Sequence, residues 1–286
     1  MNGYLELNGF PVISWWSGGV TSAVTCKLCI DWWGKDFVRM VFIDTMNEDK
    51  DTYRFKSDCE AKWNINIETI RNNEYSSINE VWRRYGSLNV AHGAVCSTDL
   101  KRKVRQDFQK TNNFSYQAFG FEIDEVNRAR AMKKNYCDAK PIFPLIYEML
   151  SKKDCIKILH SEGIKPPRAY EMGFNNNNCL QTGCVQGGIG YWQKMKNDFP
   201  EKFEKMAAIE HELTDKKGEP VTMLKDQSKN GGLVFLKPHP MYPFHKDISM
   251  MEGRPPKPLL ECNGFCGIND LSPKNETESE LNYQSK

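Results

Sequence analysis

The residues Ser17-Gly18-Gly19-Val20-Thr21-Ser22 stand between an apolar run, Pro11–Trp16, and a helical pattern that begins at Val20. Glycines in a strand-to-helix turn let backbone N–H groups approach an anion closely, and the following helix aims its positive end at the same point. Phosphate is the ligand this arrangement suits. A tight turn with nothing bound is the plain alternative, and the flanking hydroxyls of Ser17, Thr21 and Ser22 favour the first reading. A carboxylate, Asp44, ends the second apolar run, Val38–Ile43. In open α/β sheets the C-terminal ends of the strands face the crevice where nucleotides bind; capping the next helix is the other duty open to Asp44. Gly120 lies in a later run, Tyr116–Phe121, and is followed by Glu125 and Arg128. Three apart on a helix, these two either pair with each other or turn toward a ligand.

Ten cysteines supply the other chemistry. Cys26, Cys29, Cys59, Cys137 and Cys155 lie singly in segments that read as helices or strand ends, where a thiol serves as a small apolar group. Cys96, Cys179, Cys184, Cys262 and Cys266 fall in Gly- and Asn-rich loops, where packing gives little reason for a cysteine. Two paired sets, Cys179 with Cys184 and Cys262 with Cys266, make a four-thiolate site for Zn2+ or a [4Fe-4S] cluster. Cys262 as a metal ligand is incompatible with Cys262 as a nucleophile, and both readings stand. The histidines His92, His160, His211, His239 and His245 form no ligand spacing with one another. Tyr191-Trp192 reads as core, and the run Lys101-Arg102-Lys103-Val104-Arg105 as a solvated helical face that also adds positive charge near Cys96.

Short β-type runs alternate with amphipathic stretches through the first half, which is the pattern of a parallel sheet wrapped by helices. The expectation is an α/β fold with a doubly wound parallel sheet of about five strands, including runs at Tyr116–Phe121 and Pro141–Ile146 and a helix over Asp99–Gln109. The pattern changes near residue 150. Residues 1–150 are expected to form the nucleotide-binding domain, 151–271 a helical and loop region with the cysteines, and 272–286 a disordered tail. Residues 214–258 read as irregular, with one strand at Leu233–Leu236. A net charge of +2 over 286 residues is too small to argue for a nucleic-acid or membrane surface. No apolar run approaches the ~20 residues of a membrane span, and Met1–Phe10 lacks a secretory pattern, so a cytoplasmic protein is expected.

These motifs carry a family resemblance. Ser17-Gly18-Gly19-x-x-Ser22 resembles the PP-loop of the ATP pyrophosphatases, which cleave ATP between the α- and β-phosphates. Val20-Thr21 stand where that motif commonly has Lys-Asp, so Arg128 and Arg130 are the candidates to supply the missing positive charge. Phe42-Ile43-Asp44-Thr45, with Glu48 and Asp51-Thr52-Tyr53-Arg54-Phe55, is similar to the Asp-Thr-Gly and Glu-Thr-x-x-Phe elements of the phosphoadenosine phosphosulfate (PAPS) reductase family, with Met46 replacing the glycine. Gly120 through Arg128 resembles that family's Gly-x-x-x-x-Glu-x-x-Arg segment. Tyr170-Glu171-Met172-Gly173-Phe174 and Cys179–Cys184 resemble its Tyr-x-x-Gly-Phe and paired-cysteine segment, and Cys96-Ser97 stands where members reducing adenosine phosphosulfate (APS) have two cysteines. Glu261-Cys262 begins like its terminal Glu-Cys-Gly-Leu-His but continues Asn-Gly-Phe-Cys, with no histidine.

The resemblance implies an adenine nucleotide alpha hydrolase-like fold with a smaller C-terminal cysteine-containing region. It implies nucleotide binding by Ser17, Gly18, Gly19, Val20, Thr21, Ser22, Asp44, Gly120 and Glu125, and catalytic roles for Arg128, Cys96 and Cys262. The implied metal ligands are Cys179, Cys184, Cys262 and Cys266. ATP with Mg2+, or another adenine nucleotide such as PAPS, is the implied cofactor. The implied partners are a sulfur donor or a thioredoxin-like protein, a nucleic acid acceptor and a second copy in a homodimer. The leading activity is adenylylation of an acceptor followed by sulfur transfer; the alternatives are thiol-dependent reduction of PAPS or APS, and a non-catalytic nucleotide-binding protein with structural zinc.

Overall fold

A computed structural model describes residues 5–90, 93–177, 179–229 and 231–259. The first strand, β1 (Val12–Trp15), is buried along its whole length, which is why its sequence is continuously apolar rather than alternating: a helix layer covers each face. It leads into α1 (Val20–Trp33), then β2 (Val38–Ile43), α2 (Lys50–Trp63) and β3 (Ile67–Ile70). After α3 (Ile78–Tyr85), a hairpin of β4 (Asn89–Val90) and β5 (Gly93–Ala94) opens a helical rod. The rod is made of α4 (Val95–Ser97), a π turn at Thr98–Arg102, and α5 (Lys103–Thr111). Then follow β6 (Tyr116–Ala118), α6 (Val126–Asn135), β7 (Pro141–Ile142), α7 (Pro144–Tyr147), α8 (Lys152–Ser161) and α9 (Arg168–Glu171). The chain continues through α10 (Ile189–Asp198), α11 (Pro200–Lys217), β8 (Leu224–Lys225), β9 (Leu233–Phe235) and β10 (Lys246–Asp247).

The main sheet has five strands in the order β3-β2-β1-β6-β7, and each neighbouring pair is parallel. The doubly wound expectation is met. Trp16, Val24, Phe42, Phe55 and Leu159 fill one face beneath α1, α2 and α8, while Ile13, Val41, Phe119 and Met132 fill the other. The strand order reverses direction between β1 and β6, and the crevice at such a switch point is where open α/β sheets bind ligands. A further core joins Trp82, Leu88 and Leu100 to Trp192, Phe203, Leu213 and Val234, so α3 and the start of the rod pack against the second half of the chain.

Three local expectations are corrected. The rod begins at Val95 rather than Asp99, with the π turn inside it. The run at Pro141–Ile146 is a strand only to Ile142, because Pro144 starts α7. Residues 214–258 contain a small sheet, β10-β9-β8, held to α11 by Glu210, whose carboxylate accepts from Met223 N at 3.0 Å and Leu236 N at 2.6 Å. Among the described residues no helix is long and apolar enough to cross a membrane. Cys262, Cys266 and the expected tail at 272–286 lie outside the described residues.

Candidate functional site

The turn between β1 and α1 is braced from three sides. Inside it, Ser22 Oγ accepts from Ser17 N and Ser17 Oγ, both at 3.0 Å, and donates to Gly19 O at 2.9 Å. Outside it, Asn177 Nδ2 donates to Gly18 O at 2.8 Å and to Thr52 Oγ1 at 2.9 Å. Beside it lies Gly120, at the C-terminal end of β6: a Cβ there would come within 2.7 Å of Ser22 N and 2.8 Å of Ser22 Cα. Gly18 has φ +85°, and a Cβ on it would meet Thr52 Cγ2 at 2.7 Å, so glycine is required at both positions. Val20 N donates to the Tyr170 hydroxyl at 3.2 Å. Among the described residues no hydrogen bond takes the amides of Gly18 and Gly19. Gly19 gives α1 no side-chain cap, and its first turn has no acidic residue, so the helix dipole is left uncompensated there.

Asp44 follows β2. Its Oδ1 accepts from Met46 N and from the Tyr53 hydroxyl, both at 2.8 Å, while the cap of α2 falls to Asp49. Met46, which stands where the related motif has glycine, takes φ 59°. Glu48 is buried, accepts from Thr45 Oγ1 at 2.9 Å and faces Lys101 Nζ at 3.6 Å. Burial pushes the Glu48 carboxyl above its usual range, and Lys101 offsets only part of that. Lys101 reaches inward because the π turn shifts the register of the rod; such turns recur at functional sites. Arg105 is likewise buried, which brings its guanidinium down to about 10. The basic run is therefore not the solvated face that its composition suggests.

Arg128 Nη1 pairs with Glu125 Oε1 at 2.7 Å, with side chains 9% and 18% exposed, and its guanidinium lies 4.3 Å over the Phe121 ring. The pair is half-enclosed rather than superficial. Arg130 is exposed.

Cys96, Cys179 and Cys184 line one cavity of about 30 Å³ with Thr45, Lys101 and Trp82. The loop carrying Cys179 and Cys184 is fastened to the segment after Asp44: Asn47 Nδ2 donates to Thr182 Oγ1 at 2.7 Å, and Gln181 Nε2 donates to Glu48 O at 2.8 Å. Cys96, which sequence reasoning set apart from the paired cysteines, shares their wall. Among the described residues no three His, Cys, Asp or Glu side chains are arranged to hold a metal ion.

Sequence reasoning missed several contacts. Arg168 clamps Asp49 through Nε at 3.0 Å and Nη2 at 2.7 Å, which sets α9 and its Tyr170 against the glycine turn. Burial raises Asp49, but Arg168 outweighs it and holds the carboxyl below its usual value. The tract Asn175–Asn177 has no pattern that announces its partners, and none lies near it in sequence. His211 and His239, far apart in the chain, pack with ring centroids 4.4 Å apart.

Residues 11–176 match the phosphoadenosine phosphosulfate reductase domain family. An uncharacterized protein of Methanocaldococcus jannaschii is 26% identical over 217 residues, covering 72% of this chain and 42% of that protein. The chain thus spans about two fifths of the length of this curated relative. Among solved structures, the phosphate complex of phosphoadenylyl-sulfate (PAPS) reductase from Candida auris aligns with a TM-score of 0.47 and 16% identity, over 60% of this chain and 83% of that one.

Proposed function

The chain belongs to the phosphoadenosine phosphosulfate reductase domain family, and from that premise we propose an ATP-dependent enzyme that adenylylates an acceptor and then transfers sulfur to it. One observation carries this reading: the segment 44–49 joins the glycine turn's crevice to a thiol-lined cavity. Asp44 follows β2, the strand beside β1, Thr45 lines the cavity, and Asn47 and Glu48 hold the loop of Cys179 and Cys184.

In this reading the phosphates of ATP, carrying Mg2+, lie at Ser17–Ser22, where the glycine amides and the positive end of α1 stabilise charge that grows on the leaving pyrophosphate. An acceptor oxygen attacks the α-phosphorus, the bond to the β-phosphate oxygen breaks, and pyrophosphate departs. A persulfide donor passes its outer sulfur to the Cys179 thiolate and leaves as a thiolate, so that Cys179 becomes the persulfide. Its outer sulfur attacks the acceptor carbon or phosphorus that bears the adenylylated oxygen, and AMP leaves with that oxygen and the bonding electron pair. A second thiol, Cys96, then attacks the resulting disulfide, releasing the thiolated acceptor and leaving a protein disulfide for a thioredoxin-like reductant. Cys96 and Cys179 suit these roles because both are half-buried, whereas Cys184 is buried. No step here runs through a metal bound by the cysteines.

A second reading, reduction of PAPS by Cys262, is favoured by the path of the chain. The last described residue, Leu259, is fixed by its amide donating to Asn176 Oδ1 at 3.0 Å, one residue from the Asn177 that holds Gly18. Cys262 would attack the sulfonate sulfur, releasing adenosine bisphosphate, and a thioredoxin-like dithiol would then free sulfite.

The separating experiment supplies Mg·ATP and a persulfide donor with tRNA or DNA as acceptor, and in parallel PAPS with reduced thioredoxin. Acceptor-dependent pyrophosphate that persists in Cys179→Ser, with AMP release and thiolation of the acceptor lost there, would support sulfur transfer. Sulfite from PAPS without ATP, lost in Cys262→Ser and retained in Cys179→Ser, would replace it with the reductase. ATP binding with neither product would leave a non-catalytic nucleotide-binding protein.

A further inference from the structure

The three asparagines ahead of Cys179 each hold a different part of the chain. Asn175 Nδ2 donates to Pro256 O at 3.1 Å, Asn176 Oδ1 accepts from Leu259 N at 3.0 Å, and Asn177 Nδ2 donates to Gly18 O at 2.8 Å. The first two fasten the C-terminal strap that crosses α10. The third is buried, 5% exposed, and reaches the glycine turn across 159 residues of sequence.

The orientation of the Asn177 amide is dictated by its partners, because its oxygen turned toward Gly18 O would set two acceptors against each other. The consequence lies in the Gly18–Gly19 peptide. In a planar trans peptide the C=O and N–H point in opposite directions. Drawing Gly18 O toward Asn177 therefore turns Gly19 N–H away from it. Glycine at φ +85° has little preference of its own for this geometry, so an external hydrogen bond decides which way the peptide faces.

We infer that Asn177 is a positioning residue for the anion-binding amides: it fixes the Gly18–Gly19 peptide so that Gly19 N–H faces the phosphates. The inference rests on the nucleotide reading proposed above and adds the residue that sets its phosphate affinity. Asn177 touches no reacting atom. Its effect is confined to the phosphate end of the ligand, which separates it from a residue that merely keeps the fold together.

The test is calorimetric binding of Mg·ATP, inorganic pyrophosphate and adenosine to the full chain, as wild type, Asn177→Ala, Asn177→Asp and Asn176→Ala. Losing one donor that preorganises a contact to a charged group is expected to weaken pyrophosphate and ATP by about tenfold. Adenosine affinity is expected to stay within about twofold in every variant, because no phosphate is involved. Asn177→Asp keeps the shape and loses the donor, so it should weaken pyrophosphate at least as much as Asn177→Ala. Asn176→Ala loosens the same tract without touching the turn and should bind pyrophosphate like wild type. Wild-type pyrophosphate affinity in both Asn177 variants would overturn the inference, and so would an equal loss in Asn176→Ala. If the wild-type chain itself binds neither ATP nor pyrophosphate, the nucleotide reading fails first, and that result is read before any variant is compared.

Discussion

Lys101 Nζ lies 3.6 Å from Glu48 Oε1, with the two side chains 12% and 1% exposed. Two charges taken this far from water remain tolerable only together. Lys101→Met should therefore leave an uncompensated buried carboxylate and cost about 3 kcal/mol by urea unfolding, with much of the loss recovered in Lys101→Met/Glu48→Gln. The sign of the pH effect follows from the raised Glu48 carboxyl. Above the unfolded-state value the native state still holds a proton that the unfolded chain has released, so the carboxyl costs stability as pH rises. Lys101→Met should steepen that decline toward neutral pH; a slope equal to wild type would show that the pair is not electrostatically coupled.

Glu210 makes the same argument at a purely structural position. Burial pushes it up to about 8 against the two backbone amides it accepts from. Because the native value is above the unfolded one, its contribution to stability declines with rising pH between about 4.5 and 8 and is level beyond. Glu210→Gln should flatten that part of the stability profile while lowering stability at pH 5, since an amide offers one acceptor to two N–H groups. Urea unfolding at pH 5, 6.5 and 8 reads both effects.

The turn at Ser17–Ser22, the parallel sheet and Asp44 at a strand end were legible because each depends on residues adjacent in sequence. The inward course of Lys101 and Arg105 was not, since a π turn changes the helical register without any local composition that marks it. Nor could Cys96 be joined to Cys179 and Cys184 by spacing: they meet only because α4 packs against the loop after Phe174. The histidines show the same limit, with His211 on α11 and His239 in the turn after β9 brought together by the small sheet. An asparagine tract reads as a polar loop, yet its side chains tie the strap and the glycine turn into place.

Gly120 tests the crevice without changing any polar group. Its missing Cβ is the space in which Ser22 N and Cα sit. Gly120→Ala must push the end of β6 from the start of α1, and backbone on both sides can yield little. The expected outcome is a loss of ATP affinity of about tenfold or more, with a stability cost of about 1–3 kcal/mol as for other overpacked positions. ATP binding unchanged in a folded Gly120→Ala would place the nucleotide elsewhere.

Met46 occupies a backbone conformation, φ 59°, that glycine adopts without strain and that costs a side chain about 1 kcal/mol. Its amide is held by Asp44 at 2.8 Å, so the turn cannot relax without giving up that bond. Met46→Gly removes the strain but adds freedom to the unfolded chain, and the two effects nearly offset; the expected change is within about 1 kcal/mol. Met46→Val keeps the strain and adds a branch at Cβ, where positive φ is least tolerated. It should lose about 1–2 kcal/mol and weaken ATP binding through Asp44. Thermal unfolding and ATP titration on the two variants compare them directly, and equal stability of Met46→Val and wild type would mean that the turn carries no such constraint.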